Sequence, residues 1–245
     1  MQNLSRAKSR DYKSKIKSKR QNLDLSQIKQ NSGYRGKMKI AAIIPAYNEE
    51  GRISTVLDAA TQSDRVDEVI VVDDGSSDRT AEVASTHNGV RVVRHQTNKG
   101  KGAALKTGLD TTDADILLIF DAVLVGLKPG HVDELVQPLI EDEDLAMTTS
   151  RFAGGRPATN ISQRLAPILN SQRALRRSFL ETVPDFSRSG FGVETIITKH
   201  ARKSKAKVKE ILLEGVSQVL KEEKLGLVRG ARDRLRMYKD IIKHL

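Results

Sequence analysis

Residues 115–124 have the sequence DILLIFDAVL, and this stretch decides the fold. Its five consecutive apolar residues, 116–120, are too few for an ordinary helix and are typical of a strand buried on both faces of a parallel sheet. Asp121 follows the strand directly, at the edge where open α/β sheets bind their ligands. A carboxylate there either binds a ligand or caps the next turn, and this stretch alone favours neither interpretation.

Short apolar segments alternate with amphipathic ones along the chain. Residues 53–60, for example, carry apolar side chains at helical spacing on one face. We therefore expect an α/β fold with a mainly parallel sheet flanked by helices. The sequence predicts strands over residues 40–44, 68–72, 90–93, 116–120 and 145–149, helices over 53–60, 78–87, 103–109, 161–180 (interrupted near Pro167), 193–203 and 231–244, and one or two strands within 208–219.

The basic charge is concentrated at the N-terminus. Of the formal net charge of +11, residues 1–39 contribute 12 basic and 2 acidic side chains, whereas residues 40–245 hold 30 and 29. Residues 1–38 are also poor in large apolar side chains, which predicts a mostly disordered basic tail before a single domain, 39–245. The tail is either solvated without a partner or an anchor to an anionic membrane surface. Nucleic acid is not an expected partner, because the tail offers few aromatic side chains.

The chain has no cysteine, which excludes disulfides and thiolate metal sites. No apolar run approaches the roughly 20 residues that span a bilayer. The N-terminus lacks the apolar core of a secretory signal. We therefore expect a cytoplasmic protein, with peripheral membrane association as an open alternative.

Three predicted loops carry clusters of polar residues. Residues 45–50 (PAYNEE) follow the first strand and offer an aromatic face, an amide and carboxylates to a base and ribose. Residues 73–78 (DDGSSD) follow the second strand, and their adjacent carboxylates suit ribose hydroxyls. Residues 98–102 (NKGKG) precede a helix whose N-terminus and two ammonium groups suit phosphate. Taken singly, each cluster is a weak signal, and the Asp-Asp-Gly-Ser segment alone is more often an ordinary turn.

Taken together and in order, four segments resemble the family 2 nucleotide-sugar glycosyltransferases, which have the GT-A fold. The segments are IIPAYNEE (43–50), VIVVDDGSSDRT (69–80), NKGKGAALKTGL (98–109) and LLIFDA (117–122). The resemblance covers residues 39–130 and includes members that form glucosyl-3-phosphoglycerate and members that glycosylate polyprenyl phosphates. It implies that residues 39–125 bind a nucleotide sugar and that residues 126–245 bind an acceptor.

The resemblance also implies roles for individual residues. The donor would be UDP-glucose or GDP-mannose, and the acceptor a small phosphorylated compound or a lipid phosphate. Asp121 would bind Mg²⁺ or Mn²⁺ and the donor diphosphate. The expected contacts to the nucleoside are Pro45, Tyr47, Glu49, Asp73 and Asp74, with Lys101 near the diphosphate or the nucleoside.

The metal motif departs from the family at two positions. The family pattern is Asp-Ala-Asp, but here Asp121 and Ala122 are followed by Val123, which has no oxygen to offer a metal. Because magnesium often uses one or two protein carboxylates when a diphosphate supplies other oxygens, Asp121 with the donor would still bind it, more weakly. Gln218 stands near the position where many members have a metal-binding histidine. The alternative is a domain that has kept its fold and lost catalysis.

The second half of the chain holds one more family-like segment. Residues 189–194 (SGFGVE) resemble the acceptor-side Gly-aromatic-Gly-x-Glu segment of the family. Glu194 is either a general base toward the acceptor hydroxyl or a helix-start residue favoured by the helix dipole. Both interpretations stay open at this point.

For two further sets of residues we favour an interpretation without a binding function. Arg173, Arg176 and Arg177 lie on a predicted helix and form either a phosphate site or a solvated basic face, and the solvated face is favoured. The histidines lack metal-ligand spacing and are expected at the surface: His87, His95, His131, His200 and His244.

The sequence thus predicts a glycosyltransferase that moves a hexose from a nucleotide-diphosphate sugar to a hydroxyl or phosphate acceptor. Asp121 and Glu194 are the candidate catalytic residues. Val123, in the Asp-x-Asp position, is expected to impair the transfer activity. The alternative is a catalytically weakened module that binds a nucleotide sugar.

Overall fold

A seven-stranded sheet forms the centre of the computed structural model, which describes residues 38–153 and 172–218. Its strands lie in the order β3-β2-β1-β4-β7-β6-β8, and β5 pairs separately with β9. The strands are β1 Ile40–Ala46, β2 Glu68–Asp73, β3 Val90–Arg94, β4 Ile116–Ile119, β5 Leu124–Val125, β6 Leu145–Ala153, β7 Arg173–Arg176, β8 Lys207–Glu214 and β9 Ser217–Gln218.

Helices cover both faces of the sheet and connect its strands. Within the same residues they are α1 Ile53–Thr61, α2 Thr80–Ser85, α3 Lys101–Thr111, α4 Pro129–Glu141, α5 Arg177–Leu180 and α6 Val193–Lys203, with a 3₁₀ turn at Gly190–Gly192. Alternate residues of β1 enter opposite cores: Ala42 and Ile44 pack on one side of the sheet, Ala41 and Ile43 on the other.

The order of the strands places a crevice beside β1. Strand β1 pairs in parallel with β2 on one side and with β4 on the other. The chain runs from β1 to β2 and β3 on one side and then returns to β4 on the other side of β1. The carboxyl ends of β1 and β4 are therefore a switch point of the kind at which open α/β sheets bind ligands. Asp121 lies two residues beyond β4, at this edge of the sheet.

The expected α/β fold with a mainly parallel sheet is confirmed. The four strands β3, β2, β1 and β4 are mutually parallel, and β7 is antiparallel to both of its neighbours. The predicted helix over residues 193–203 has those bounds. The one or two strands expected within 208–219 are β8, which begins one residue earlier, at Lys207, and β9. The division into a tail and two functional halves stays a prediction.

Helix α4 was not among the sequence predictions. Gly130 and Pro138 interrupt the segment and weaken the helical signal. Its buried positions nevertheless follow helical spacing and could have revealed it: Val132, Leu135, Val136 and Leu139.

The prediction of a helix through residues 173–176 is wrong. This segment is strand β7, which pairs on its two sides with β4 and β6. Its arginines suggested a solvated surface, but Arg173 is 1 % exposed and Arg176 donates to the backbone oxygens of Leu139, Leu145 and Asp142. The segment pairs with a strand on each side, and this tertiary pairing outweighs its local helical propensity.

Three sequence predictions lie outside the described residues. They are the disordered tail up to residue 37, most of the helix over 161–180, and the last helix over 231–244. In the described ranges, no helix is both long and apolar enough to cross a membrane.

Gly108 allows α3 to lie directly on the sheet, so a larger side chain at this position should destabilise the fold. A Cβ at this position would overlap Ile43 and lie 3.3 Å from Cγ2 of Val72. We expect Gly108→Ala to lower the free energy of unfolding by about 1–3 kcal/mol, because the overpacked helix must move. The measurement is urea unfolding followed by circular dichroism.

Gly130→Ala is the matched control, since a Cβ there meets no atom within 4 Å and the residue lies in the first turn of α4. It should leave stability unchanged or raise it by up to about 1 kcal/mol. Equal effects of the two substitutions would contradict the close packing of α3 on β1.

Candidate active site

The candidate site lies at the carboxyl ends of β1, β2 and β4. The loop after β1 carries Tyr47, whose side chain is 44 % exposed and therefore accessible to a planar ligand. Pro45 is half-buried in β1 and pairs with Val72 of β2. Glu49 is buried, and its carboxylate lies 3.6 Å from the guanidinium of Arg52, so it also closes the start of α1.

Asp73 braces the turn after β2. Its carboxylate is fully buried, accepts a hydrogen bond from the backbone N–H of Ser76 at 3.1 Å, and lies 3.0 Å from Nε of Arg94. Gly75 has φ +75°, and a Cβ there would come within 2.8 Å of the backbone N of Asn98. The turn therefore requires glycine and lies against the loop that leads into α3.

Asp74 holds that loop in place. Its two carboxylate oxygens accept hydrogen bonds from the backbone N–H groups of Lys99 (2.9 Å) and Gly100 (2.7 Å). Nδ1 of His95 lies 2.7 Å from the same carboxylate, and Nε2 of His95 lies 2.9 Å from Oγ1 of Thr107. Asp74 therefore positions the NKGKG loop that was expected to meet phosphate.

The expectation that His95 is a surface residue is wrong. His95 is 8 % exposed and links the Asp74 carboxylate to helix α3. His95 directly follows β3, at the edge of the sheet that also carries Asp73 and Asp74. In the sequence, only this position at the end of a predicted strand indicated that His95 could belong to the site.

The centre of the site is the ammonium of Lys101. Its Nζ lies 2.5 Å from Oδ1 of Asp121 and also forms an ion pair with Glu194. The three side chains are between 9 and 18 % exposed. Burial alone would lower the pKa of Lys101, but the charges and hydrogen bonds of both carboxylates outweigh it and raise that pKa well above its ordinary value. The amine is therefore protonated throughout the physiological pH range.

A second layer, Gln172 and Arg173, supports this cluster. Nε2 of Gln172 donates to Oδ2 of Asp121 at 3.1 Å. Arg173, the next residue, is almost completely buried. Its guanidinium lies 3.5 Å from Oγ1 of Thr198 on α6. Burial lowers the pKa of Arg173, and the negative charges of Glu194 and Asp121 oppose that effect. Sequence reasoning missed both functions because it assigned this segment to a helix.

Small residues let the two parts of the site meet. A Cβ on Gly102, in the first turn of α3, would overlap the carbonyl oxygen of Phe186 and lie 2.8 Å from Oγ of Ser189. Gly190 has φ +56° and begins the 3₁₀ turn that leads into α6. The absence of a side chain at Gly102 thus brings Glu194, near the start of α6, up to Lys101 at the start of α3.

The two positions at which we expected a departure from the metal motif lie close together. Val123 precedes β5, and Leu124 of β5 pairs with Gln218 of β9. Residues 38–153 and 172–218 contain no group of three His, Asp or Glu side chains placed to hold a metal ion. Asp121 alone fits a divalent ion as one ligand, which suits an ion whose other ligands come from a diphosphate and water.

Comparison with known proteins identifies the class. Residues 41–198 match the family described as glycosyl transferase family 2, and the chain belongs to that family. It is 36 % identical over 122 residues to glucosyl-3-phosphoglycerate synthase of Mycobacterium tuberculosis, a match that covers 46 % of this chain and 37 % of the relative. It is 32 % identical over 125 residues to dolichol-phosphate mannosyltransferase of Pyrococcus furiosus, which covers 49 % of this chain and 35 % of that relative.

The fold agrees with that of a solved structure of the mycobacterial relative. The crystal structure of the M. tuberculosis synthase with Mn²⁺, UDP and glucosyl-3-phosphoglycerate superposes with a TM-score of 0.68 and 27 % identity, over 85 % of this chain and 78 % of that one. Another structure of that synthase holds Mg²⁺ and UDP. The GT-A fold is thereby confirmed. The chain spans little more than a third of the length of the curated relatives named above.

The role of Asp74 in holding the loop before α3 can be tested by substitution. Asp74→Ala removes the acceptor for two backbone N–H groups and His95, so we expect a loss of about 2–4 kcal/mol in the free energy of unfolding. Amide hydrogen exchange at Lys99 and Gly100 should accelerate in the folded protein. The control is Asp64→Ala, at an exposed position, which should change stability by less than about 0.5 kcal/mol. Unchanged exchange at both amides would contradict the bracing role of Asp74.

Proposed function

We propose that this chain is a hexosyltransferase that uses a nucleotide-diphosphate sugar as donor. The observation that carries the proposal is the convergence of Asp121, Glu194 and Lys101 at the carboxyl edge of the sheet, in a chain of glycosyl transferase family 2. The structures of the mycobacterial synthase with UDP favour UDP-glucose over GDP-mannose as the donor. The donor would lie across the loops after β1 and β2, with its base on Tyr47 and its diphosphate toward Lys101.

The reaction follows from this placement. The bond between the anomeric carbon and the diphosphate oxygen breaks, and the acceptor oxygen forms a new bond to that carbon. Negative charge develops on the departing diphosphate, where the Lys101 ammonium stabilises it. Glu194 would accept the proton of an acceptor hydroxyl, because it is the second carboxylate that contacts Lys101 and it ends the family-like segment 189–194.

Mg²⁺ or Mn²⁺ is the cofactor that the neighbouring structures support. When bound, a divalent ion supplies positive charge at the leaving diphosphate. Asp121 is the described side chain that would hold it, and Val123 would contribute nothing. The residues present therefore fit an ion that arrives together with the donor.

The acceptor belongs to one of two classes. The mycobacterial synthase structures with phosphoglyceric acid support a small phosphorylated acceptor. The dolichol-phosphate relatives support a lipid phosphate, and only that class requires a membrane surface, which the basic residues 1–38 would approach.

A second candidate function is a nucleotide-sugar-binding module without efficient turnover. Val123 favours it, because the resemblance implies a second carboxylate at the position where this chain has valine. The two functions make opposite predictions for one assay. A transferase releases UDP in the presence of an acceptor, whereas a module binds UDP-glucose and leaves it intact.

Glu194→Gln is the test of the proposed chemistry. The amide cannot accept the acceptor proton, so we expect transfer from UDP-glucose to fall by about 10²–10⁴-fold, while UDP binding is retained. The measurement is UDP release with 3-phosphoglycerate, whose hydroxyl must lose a proton, beside calorimetric titration of UDP. A polyprenyl phosphate serves as the second acceptor for the wild-type protein, because its ionised phosphate oxygen needs no base.

Glu181→Gln is the matched control, because this glutamate is 61 % exposed and lies outside the cluster. It should transfer at the wild-type rate. A wild-type rate in Glu194→Gln would refute the base assignment, and intact UDP-glucose with both acceptors in the wild-type protein would favour the binding module.

A further inference from the structure

The centre of the site is balanced in charge without a metal ion. Among the described residues it contains two carboxylates, Asp121 and Glu194, and two buried cations, Lys101 and Arg173. Both carboxylates form ion pairs with Lys101, and both act electrostatically on Arg173. Position 123, two residues after Asp121, is valine, so it adds no further carboxylate near this cluster.

A neutral cluster attracts a divalent ion weakly. Oxygen-ligand sites gain affinity from the number of carboxylates that they direct at the ion. Asp121 is the single carboxylate left from the motif, and its two oxygens accept from Lys101 and Gln172. An ion that binds Asp121 must therefore compete with an ammonium that is already 2.5 Å away.

The Lys101 ammonium already provides fixed positive charge at this position. Lys101 is the first residue of the eleven-residue helix α3, whose N-terminal dipole adds positive potential. The bonds of Asp74 to Lys99 and Gly100 hold the loop that delivers it. An ammonium has three N–H donors on a flexible stem, so it can exchange a carboxylate for a phosphate oxygen with a small movement.

We propose that Lys101 is the resident cation of the donor site, and that the site binds a nucleoside diphosphate without needing a divalent ion. The ammonium exchanges Glu194 for a diphosphate oxygen when the donor binds, and this exchange frees the Glu194 carboxylate for the acceptor. A divalent ion enters as a complex with the diphosphate and adds to Lys101. The inference rests on the proposed function, since it concerns the same donor.

The experiment is calorimetric titration of UDP into the full chain, once in EDTA and once in Mn²⁺. We expect binding in EDTA, with a dissociation constant within about tenfold of that in Mn²⁺. Mn²⁺ titrated into the nucleotide-free protein should give no binding heat. UDP binding that requires Mn²⁺ would overturn the inference and leave the proposed function intact, whereas no UDP binding in either buffer would contradict both.

Variants separate Lys101 from other sources of affinity. Lys101→Met should weaken UDP binding in EDTA by about ten- to hundredfold, because a charge-assisted contact is lost. Lys106→Met removes a charge from the same helix, at a half-exposed position paired with Asp110, and should leave UDP binding unchanged. Glu194→Gln should tighten UDP binding in EDTA, because the competing carboxylate is gone. Equal UDP affinities in the Lys101 and Lys106 variants would overturn the inference.

Val123→Asp tests the charge argument from the opposite direction. The additional carboxylate should make UDP affinity rise more than about tenfold on addition of Mn²⁺. A metal response equal to that of the wild type would contradict the link between the valine and the neutral cluster. Thermal unfolding of each variant shows which of them are folded, and the wild-type titration in EDTA decides the main point without any variant.

Discussion

The ion pairs of Lys101 with Asp121 and Glu194 are the constraint on which the rest of the site depends. Removing three charged groups from water costs several kcal/mol for each ion, and only mutual attraction in good geometry offsets that cost. The cluster therefore persists only if β4, α3 and α6 are held at fixed positions relative to one another. The local features of the site serve that requirement.

Each side chain of the cluster is delivered by a different structural device. Asp121 leaves a strand buried on both faces, beside the crevice next to β1. Lys101 begins a helix whose entry loop is held by Asp74 and, through it, by His95. Glu194 reaches the cluster because Gly102 leaves space for the loop before α6. The proposed donor and acceptor parts of the site thus share one ammonium.

Most of the parallel half of the fold could be predicted from local pattern. The apolar run 116–120 and the polar clusters after the first two strands identify the sheet and the edge that carries the site. The family resemblance identified Glu194 as a candidate through the segment 189–194. It did not show that Lys101 joins Glu194 to Asp121, because that contact depends on the packing of α3 against the loop before α6.

The antiparallel part resisted prediction for a physical reason. Strand β7 is rich in arginine, and only its position between β4 and β6 explains why Arg173 is buried. His95 similarly resembled a surface histidine, since its partner Asp74 is distant in sequence. Helix α4 was missed because Gly130 and Pro138 masked a regular apolar spacing. Partners that are brought together by the fold leave little signal in a single sequence.

The most direct test of the central interaction is a double-mutant cycle between Lys101→Met and Glu194→Gln, measured by urea unfolding. The structure predicts a coupling free energy of about 1–3 kcal/mol, because either substitution alone leaves a buried charge with a partner missing, and the double variant restores part of that loss. Effects that add to within about 0.3 kcal/mol would contradict the account, since they would mean that the ammonium and the carboxylate do not interact in the folded protein.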